Sequence, residues 1–197
     1  MTAILIGGTP GCGKTAVAHA LGDLLSLDVL SLGDFALRSG CVKEQDLLRD
    51  TGVIDEDCLV EAIDSLLDEI AGRVIVEGHY IDLVPYRYVE VAVVLRTHPE
   101  VLRQRLIERG YSRAKVDENV EAEVMGVCQL DAIDAFGEEK VYEIETTQVS
   151  PDEAALTIAG ILEGATHDLR IDWMEQLERE GRLDDFLTPD WRGPEPF

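Results

Sequence analysis

The residues with the most chemical potential lie between Gly8 and Thr15. Gly8-Thr9-Pro10-Gly11-Cys12-Gly13-Lys14-Thr15 satisfies the spacing GxxxxGK[ST]. Glycines at this spacing let backbone N–H groups turn inward around phosphate oxygens. A helix opening directly behind them adds the positive end of its dipole. In that arrangement Lys14 reaches the outer phosphates and the Thr15 hydroxyl ligates Mg²⁺. The pattern implies a nucleoside triphosphate site. The same residues also fit GxGxx[GA], from Gly11 to Ala16, with Asp34 about 20 residues beyond as a ribose-binding acid. Phosphates and Mg²⁺ explain a Lys-Thr pair behind the last glycine, and a dinucleotide does not. Cys12 fills a variable position of the motif.

A site of this class needs a carboxylate near the metal, usually through water, at the end of a neighbouring strand. Glu77 follows Val74-Ile75-Val76 and fits. Asp55 and Asp57 are rivals, although no strand precedes them. His79 is either a loop histidine or, beside the phosphate site, a group that orients water or relays a proton. Phosphoryl transfer also needs cations around the transferring group. Arg96 ends an apolar run, and Arg103, Arg105, Arg109 and Arg113 follow it. Arg105 and Arg109 share a helical face, whereas Arg103 reads as a salt-bridged surface residue. The break at Gly110-Tyr111-Ser112 predicts a small hinge that closes Arg109 over the phosphates.

These residues must be held by a regular framework. Ala3 to Ile6, Val29 to Leu32, Val74 to Val76, Val89 to Leu95 and Val141 to Ile144 are short, continuous apolar runs. Helical spacing separates them: Thr15 to Leu25, Asp57 to Ala71, Pro99 to Glu108, a long helix after Ser112 reaching about Phe136, and Pro151 to Leu162. Residues 34–56 read as short helices and loops. Continuous apolar strands alternating with helices predict a parallel sheet covered on both faces. After Gly164 the character changes. His167 to Leu187 is an acidic helix candidate carrying Trp173, Met174, Leu177 and Leu183, and Thr188 to Phe197 is Pro-rich. The expected organisation is a phosphate-loop domain over 1–164 and an appendage over 165–197.

Composition narrows the setting. The 197 residues hold 17 Lys and Arg against 40 Asp and Glu, a net charge of −23. Lysine occurs only at Lys14, Lys43, Lys115 and Lys140. Such a surface disfavours a general coat on nucleic acid or anionic membrane. With 46% hydrophobic residues the chain has a sizeable core, so the charge is not a mark of disorder. An acidic, lysine-poor, core-rich chain reads as adapted to high salt, where self-repulsion is screened. Cys12, Cys41, Cys58 and Cys128 show no CxxC spacing, and are expected to be reduced thiols of a cytoplasmic protein. No run reaches the roughly 18 apolar residues of a membrane span.

Taken together, GGTPGCGKT at 7–15, LGDF at 32–35, RDTGVIDED at 49–57, VIVEGHY at 74–80, VVLRT at 93–97 and RLIERGYSRAKVDENVEAE at 105–123 resemble the archaeal and nuclear adenylate kinases of the sixth-isoenzyme type. The resemblance spans roughly residues 3–163. It implies the nucleoside monophosphate kinase fold, a P-loop fold with a five-stranded parallel sheet. It implies ATP held by Gly11, Gly13, Lys14, Thr15 and Ala16 and by Arg109 of a short lid near 108–118. It places a monophosphate-binding segment near 31–54. On the enzyme reading, Asp34 with Arg38 or Arg49 helps place the acceptor, and Lys14, Arg105, Arg109, Glu77 and His79 are the candidate catalytic residues. Mg²⁺ would sit at Thr15 and, through water, Glu77. Two departures stand out: eukaryotic members typically carry Asp where this chain has Glu77, and an expected arginine is Leu37, with Arg38 following. The family also implies ATP hydrolysis coupled to transient binding of the ribosomal protein uS11 during maturation of the small ribosomal subunit.

Overall fold

The computed structural model describes residues 2–46 and 51–187. Arg49 and the Pro-rich stretch 188–197 lie outside the described residues. The first strand, β1 (Thr2–Gly7), shows how the sequence builds two cores at once. Alternate side chains of a strand point to opposite faces. Ala3 and Leu5 enter a core with Leu32, Leu59, Ile63 and Val76, while Ile4 and Ile6 enter one with Val17, Leu21, Val93 and Ile158. A strand buried on both faces needs apolar residues throughout.

Around β1 stand β2 (Val29–Ser31), β5 (Arg73–Glu77), β6 (Val89–Arg96) and β7 (Val141–Glu145), in the order β2-β5-β1-β6-β7. Every pairing in this sheet is parallel, with Ile4 opposite Ile75 on one side and Val91 on the other. Helices α1 (Lys14–Leu25), α3 (Glu56–Glu69), α6 (Val127–Phe136) and α7 (Pro151–Leu162) cover the faces. The architecture is the expected P-loop, monophosphate-kinase-like fold. No helix among the described residues is long and apolar enough to cross a membrane.

Three expectations change within residues 34–136. The long helix after Ser112 is two, α5 (Arg113–Met125) and α6, because Gly126 adopts φ 68°, a left-handed conformation that ends one helix and starts the next. Residues 34–56 are more ordered than composition suggests. Helix α2 (Leu32–Arg38) leads into an antiparallel pair, β3 (Val42–Asp46) with β4 (Thr51–Ile54). Finally, Cys41 and Cys58 are disulfide-bonded rather than reduced, while Cys12 and Cys128 are free and buried. The β3–β4 pair returns the chain beside its starting point, bringing the two Cα atoms within 5.4 Å.

Beyond α7, the helix expected over His167 to Leu187 is confined to α8 (Trp173–Arg179), with a single 3-10 turn at Leu183–Asp185 after it. Leu177 and Phe186 bury themselves against Leu102 and Leu106 of α4 (Pro99–Glu108) and Val116, Val120 and Val124 of α5. This segment therefore shares a core with the two helices that flank the 109–112 connection.

Candidate nucleotide site

The site begins where β1 ends. Gly8, Gly11 and Gly13 have φ of 134°, 96° and 101°, a conformation that L side chains rarely adopt. At Gly8 a Cβ would also lie 2.5 Å from the Leu95 carbonyl oxygen and 2.8 Å from Cys12 Sγ. The loop is thus pressed against β6. Gly13 caps the N-terminus of α1, and Lys14 Nζ donates to the Gly8 and Thr9 carbonyls at 2.7 and 3.1 Å.

Glu77, at the C-terminal end of β5, is 5% exposed. Parallel pairing places β5 beside β1, and Thr15 Oγ1 donates to Glu77 Oε2 at 3.4 Å. A hydroxyl and a buried carboxylate are hard oxygen donors that suit Mg²⁺. Among the described residues no group of three or more His, Cys, Asp or Glu side chains is placed to hold a metal. A divalent ion at Thr15 and Glu77 would therefore take its other ligands from phosphate and water. Asp55 does follow a strand, β4, against expectation, yet both rivals are committed elsewhere. Asp55 caps α3 by accepting from Cys58 N and pairs with Lys43 at 2.9 Å, and Asp57 is exposed in the first turn of the same helix.

His79 sits against the underside of the loop. It makes a hydrogen bond with the Gly8 backbone, and its Nδ1 is 3.5 Å from Cys128 Sγ. Burial, reinforced by the positive charge of Lys14, holds its pKa below the ordinary histidine value, so the imidazole is neutral near pH 7. Burial pushes the Cys128 thiol up to about 12 and raises that of Cys12, so neither is a thiolate at neutral pH.

Two cavities meet at this point. One, of about 520 Å³, is bordered by Gly11, Gly13, Lys14, Ala16, Arg109 and Tyr111. The other, of about 560 Å³, is bordered by Ser31, Asp34, Leu37, Arg38 and Glu77. Thr15 and His19 belong to both. Arg109 is exposed at the end of α4 and faces the first cavity. Arg38, also exposed, donates from Nε to the Asp34 carbonyl at 3.3 Å.

Arg105 is placed differently from its helical neighbour. It borders neither cavity; its guanidinium donates to the Thr146 and Thr147 carbonyls at 2.9 and 3.2 Å. Thr146 Oγ1 in turn donates to the Cys12 carbonyl at 2.8 Å. Arg105 therefore bears on the loop through Thr146 rather than on the cavity. Arg96 is 1% exposed and pairs with Glu123 and Glu143 at 2.9 and 3.0 Å, well away from bulk solvent. Arg103 lies over the Phe186 ring at 4.7 Å, holding residues 183–187 rather than a surface carboxylate.

Two residues of the site escaped the sequence reading. His19 follows Thr15 by one helical turn, so its place on the same face of α1 could have been read from spacing. Glu123 occupies a core position of α5 beside Val116, Val120 and Val124, and a carboxylate on an apolar stripe is itself a signal.

Known proteins resemble this chain in sequence and in fold. A family model described as "AAA domain" matches residues 4–126. A protein of Methanothermobacter thermautotrophicus named "Putative adenylate kinase" is 44% identical over 162 residues, covering 82% of this chain and 90% of that protein. One of the same name from Pyrococcus abyssi is 39% identical over 175 residues, covering 87% and 91%. Among solved structures, the shikimate kinase of Acinetobacter baumannii in complex with shikimate superposes with a TM-score of 0.57 at 21% identity, over 83% of this chain and 93% of that one. The shikimate kinase of Bacteroides thetaiotaomicron gives 0.56 at 16% identity, over 82% and 98%. The structural likeness concerns the fold. The sequence likeness goes further, and by it the chain belongs to the archaeal family whose members carry the name "Putative adenylate kinase".

Proposed function

We propose that the protein transfers the γ-phosphoryl group of ATP to a nucleoside monophosphate, with AMP as the first candidate acceptor. The observation that carries this reading is the pair of cavities sharing Thr15 and His19. A hydrolase needs one nucleotide cavity and a water, whereas a transferase needs donor and acceptor cavities that converge where the phosphoryl group moves. Both share the loop: the phosphorus–oxygen bond to the β-phosphate breaks as a bond to an acceptor phosphate oxygen forms, giving two ADP from ATP and AMP.

The backbone of Gly11, Gly13 and Ala16 would hold the donor phosphates. Lys14 and Arg109 would compensate the charge that spreads over the transferring group. Arg105 would act as a positioning residue through Thr146. Asp34, Arg38 and Arg49 would place the acceptor. Mg²⁺, when bound, neutralises phosphate charge, with Thr15 and Glu77 as its holders on this chain. Neutral His79 would fix the Gly8 end of the loop. The archaeal relatives' name supports the nucleotide-kinase reading. The uS11 assembly role rests on the family resemblance, and would use ATP hydrolysis without an acceptor.

A coupled assay in high KCl, with ATP alone and then with each nucleoside monophosphate, tests the reading. Turnover is expected to require a monophosphate and to be fastest with AMP. Equal ATP turnover with and without every monophosphate would overturn it, and would favour the hydrolysis-timed assembly role.

A further inference from the structure

A carboxylate buried among valines is costly unless its oxygens are filled. Glu123 is 1% exposed, and both of its oxygens are occupied. Oε1 accepts from Arg96 Nε at 2.9 Å, from Thr97 N at 3.0 Å and from Trp173 Nε1 at 3.1 Å. Among the described residues Oε2 accepts from a single donor, Thr9 Oγ1, at 2.6 Å. Thr9 is the first variable residue of the phosphate loop, and at 1% exposure its hydroxyl points down into the protein, not up into the cavity. The four donors come from four places: the loop, the end of β6, the residue after it, and the segment beyond α7.

We propose that Glu123 is a positioning residue for the phosphate loop, and that Trp173 makes the C-terminal segment 165–187 part of the loop's support. This rests on the loop being the nucleotide site. Two of the bonds that hold the loop from beneath are Thr9 to Glu123 and the Cys12 carbonyl to Thr146. Arg96 sets the height of Glu123: its Nη2 donates to the Glu123 carbonyl at 2.9 Å while its Nε holds the carboxylate. The same guanidinium donates from Nη1 to the Ile171 carbonyl at 3.2 Å, so the segment carrying Trp173 is pinned to the same cation. Trp173 itself is 3% exposed. An indole, a carboxylate and a hydroxyl thus form one unbroken path from the C-terminal segment to the loop. A reacting geometry tolerates little displacement, so a loop that loses one support should lose rate before it loses affinity.

Direct replacement of Glu123 threatens the fold, so the test acts on its partners. Thr9→Val keeps the shape of the side chain and removes the donor. Thr9→Ser keeps the donor, and Trp173→Phe removes the indole N–H together with part of the ring volume while leaving a smaller aromatic ring in the core. With ATP and AMP in high KCl, kcat is expected to fall about tenfold or more in Thr9→Val and severalfold in Trp173→Phe, with the Kd for ATP within about threefold and Thr9→Ser close to wild type. A second readout is independent of turnover. The chain has two tryptophans, so a Trp191→Phe background leaves Trp173 as the single tryptophan, excited selectively at the red edge where tyrosine does not absorb. Mg·ATP titration should change its emission, and Thr9→Val should remove that change while ATP still binds. If the wild type moves no phosphoryl group yet the emission behaves this way, the support stands and the kinase reading fails. Wild-type kcat in Thr9→Val and Trp173→Phe, or a lowered melting midpoint with unchanged kcat and emission response, would overturn the proposal.

Discussion

Reduction of the Cys41–Cys58 bond should cost the fold a predictable amount. The bond closes a loop with a sequence separation of 17 residues that contains the β3–β4 pair. A two-stranded pair is marginal by itself, so this segment depends on what ties its ends. Loop-closure entropy for this separation is worth about 3 kcal/mol at 25 °C. For a chain of this size each kcal/mol moves the midpoint by about 2–4 °C, so reduction should lower it by about 6–12 °C. The assay is thermal unfolding in high KCl with and without a phosphine reductant, beside Cys58→Ser. The variant should melt near the reduced protein and ignore the reductant. Thiol titration in non-reducing denaturant should count two groups, Cys12 and Cys128. Four thiols, or a midpoint that reductant moves by less than about 2 °C, would refute the reasoning.

Lys14→Ala should leave far-UV circular dichroism unchanged and lower phosphoryl transfer by about 10² or more, as expected when a phosphate cation is removed, and the coupled assay reads it directly. Arg96→Met strips the cation from two buried carboxylates, Glu123 and Glu143, and should cost about 3–5 kcal/mol in urea unfolding, with added Glu143→Gln recovering part of the loss. His79 has a folded pKa depressed by burial, so below its unfolded value of about 6.5 the unfolded chain takes up a proton that the folded chain refuses. Stability should therefore fall as pH drops from 7.5 to 5.5, by at most about 1.4 kcal/mol per unit from this group, and urea midpoints should show less of that fall in His79→Asn. With a net charge of −23, the melting midpoint should rise along a KCl series from about 0.1 to 1 M, over which the screening length shrinks from about 10 to 3 Å.

The phosphate loop, the five apolar strands and the placement of Glu77 at a strand end were legible in the sequence. Each depends on neighbours a few residues away, and spacing alone decides whether a backbone can turn around phosphate or a strand can be buried on both faces. The fold over 32–46 and 51–58 was less legible. The pairing of β3 with β4, and the meeting of Cys41 with Cys58, follow from how the chain returns rather than from local spacing. Arg105 and Arg109 share a helical spacing, yet only Arg109 faces the cavity, because Thr146 and Thr147 of the neighbouring strand end capture Arg105. Arg96 read as one of several phosphate cations and is instead the counter-ion of two buried acids. Thr9 and Glu123 are separated by 114 residues and meet at 2.6 Å, and Trp173 reaches the same carboxylate from 50 residues further on. No period or motif links such positions. They are brought together by parallel pairing of β1 with β6, by the turn at Gly126 and by the packing of residues 165–187 against α4 and α5, and each of these is a contact between elements.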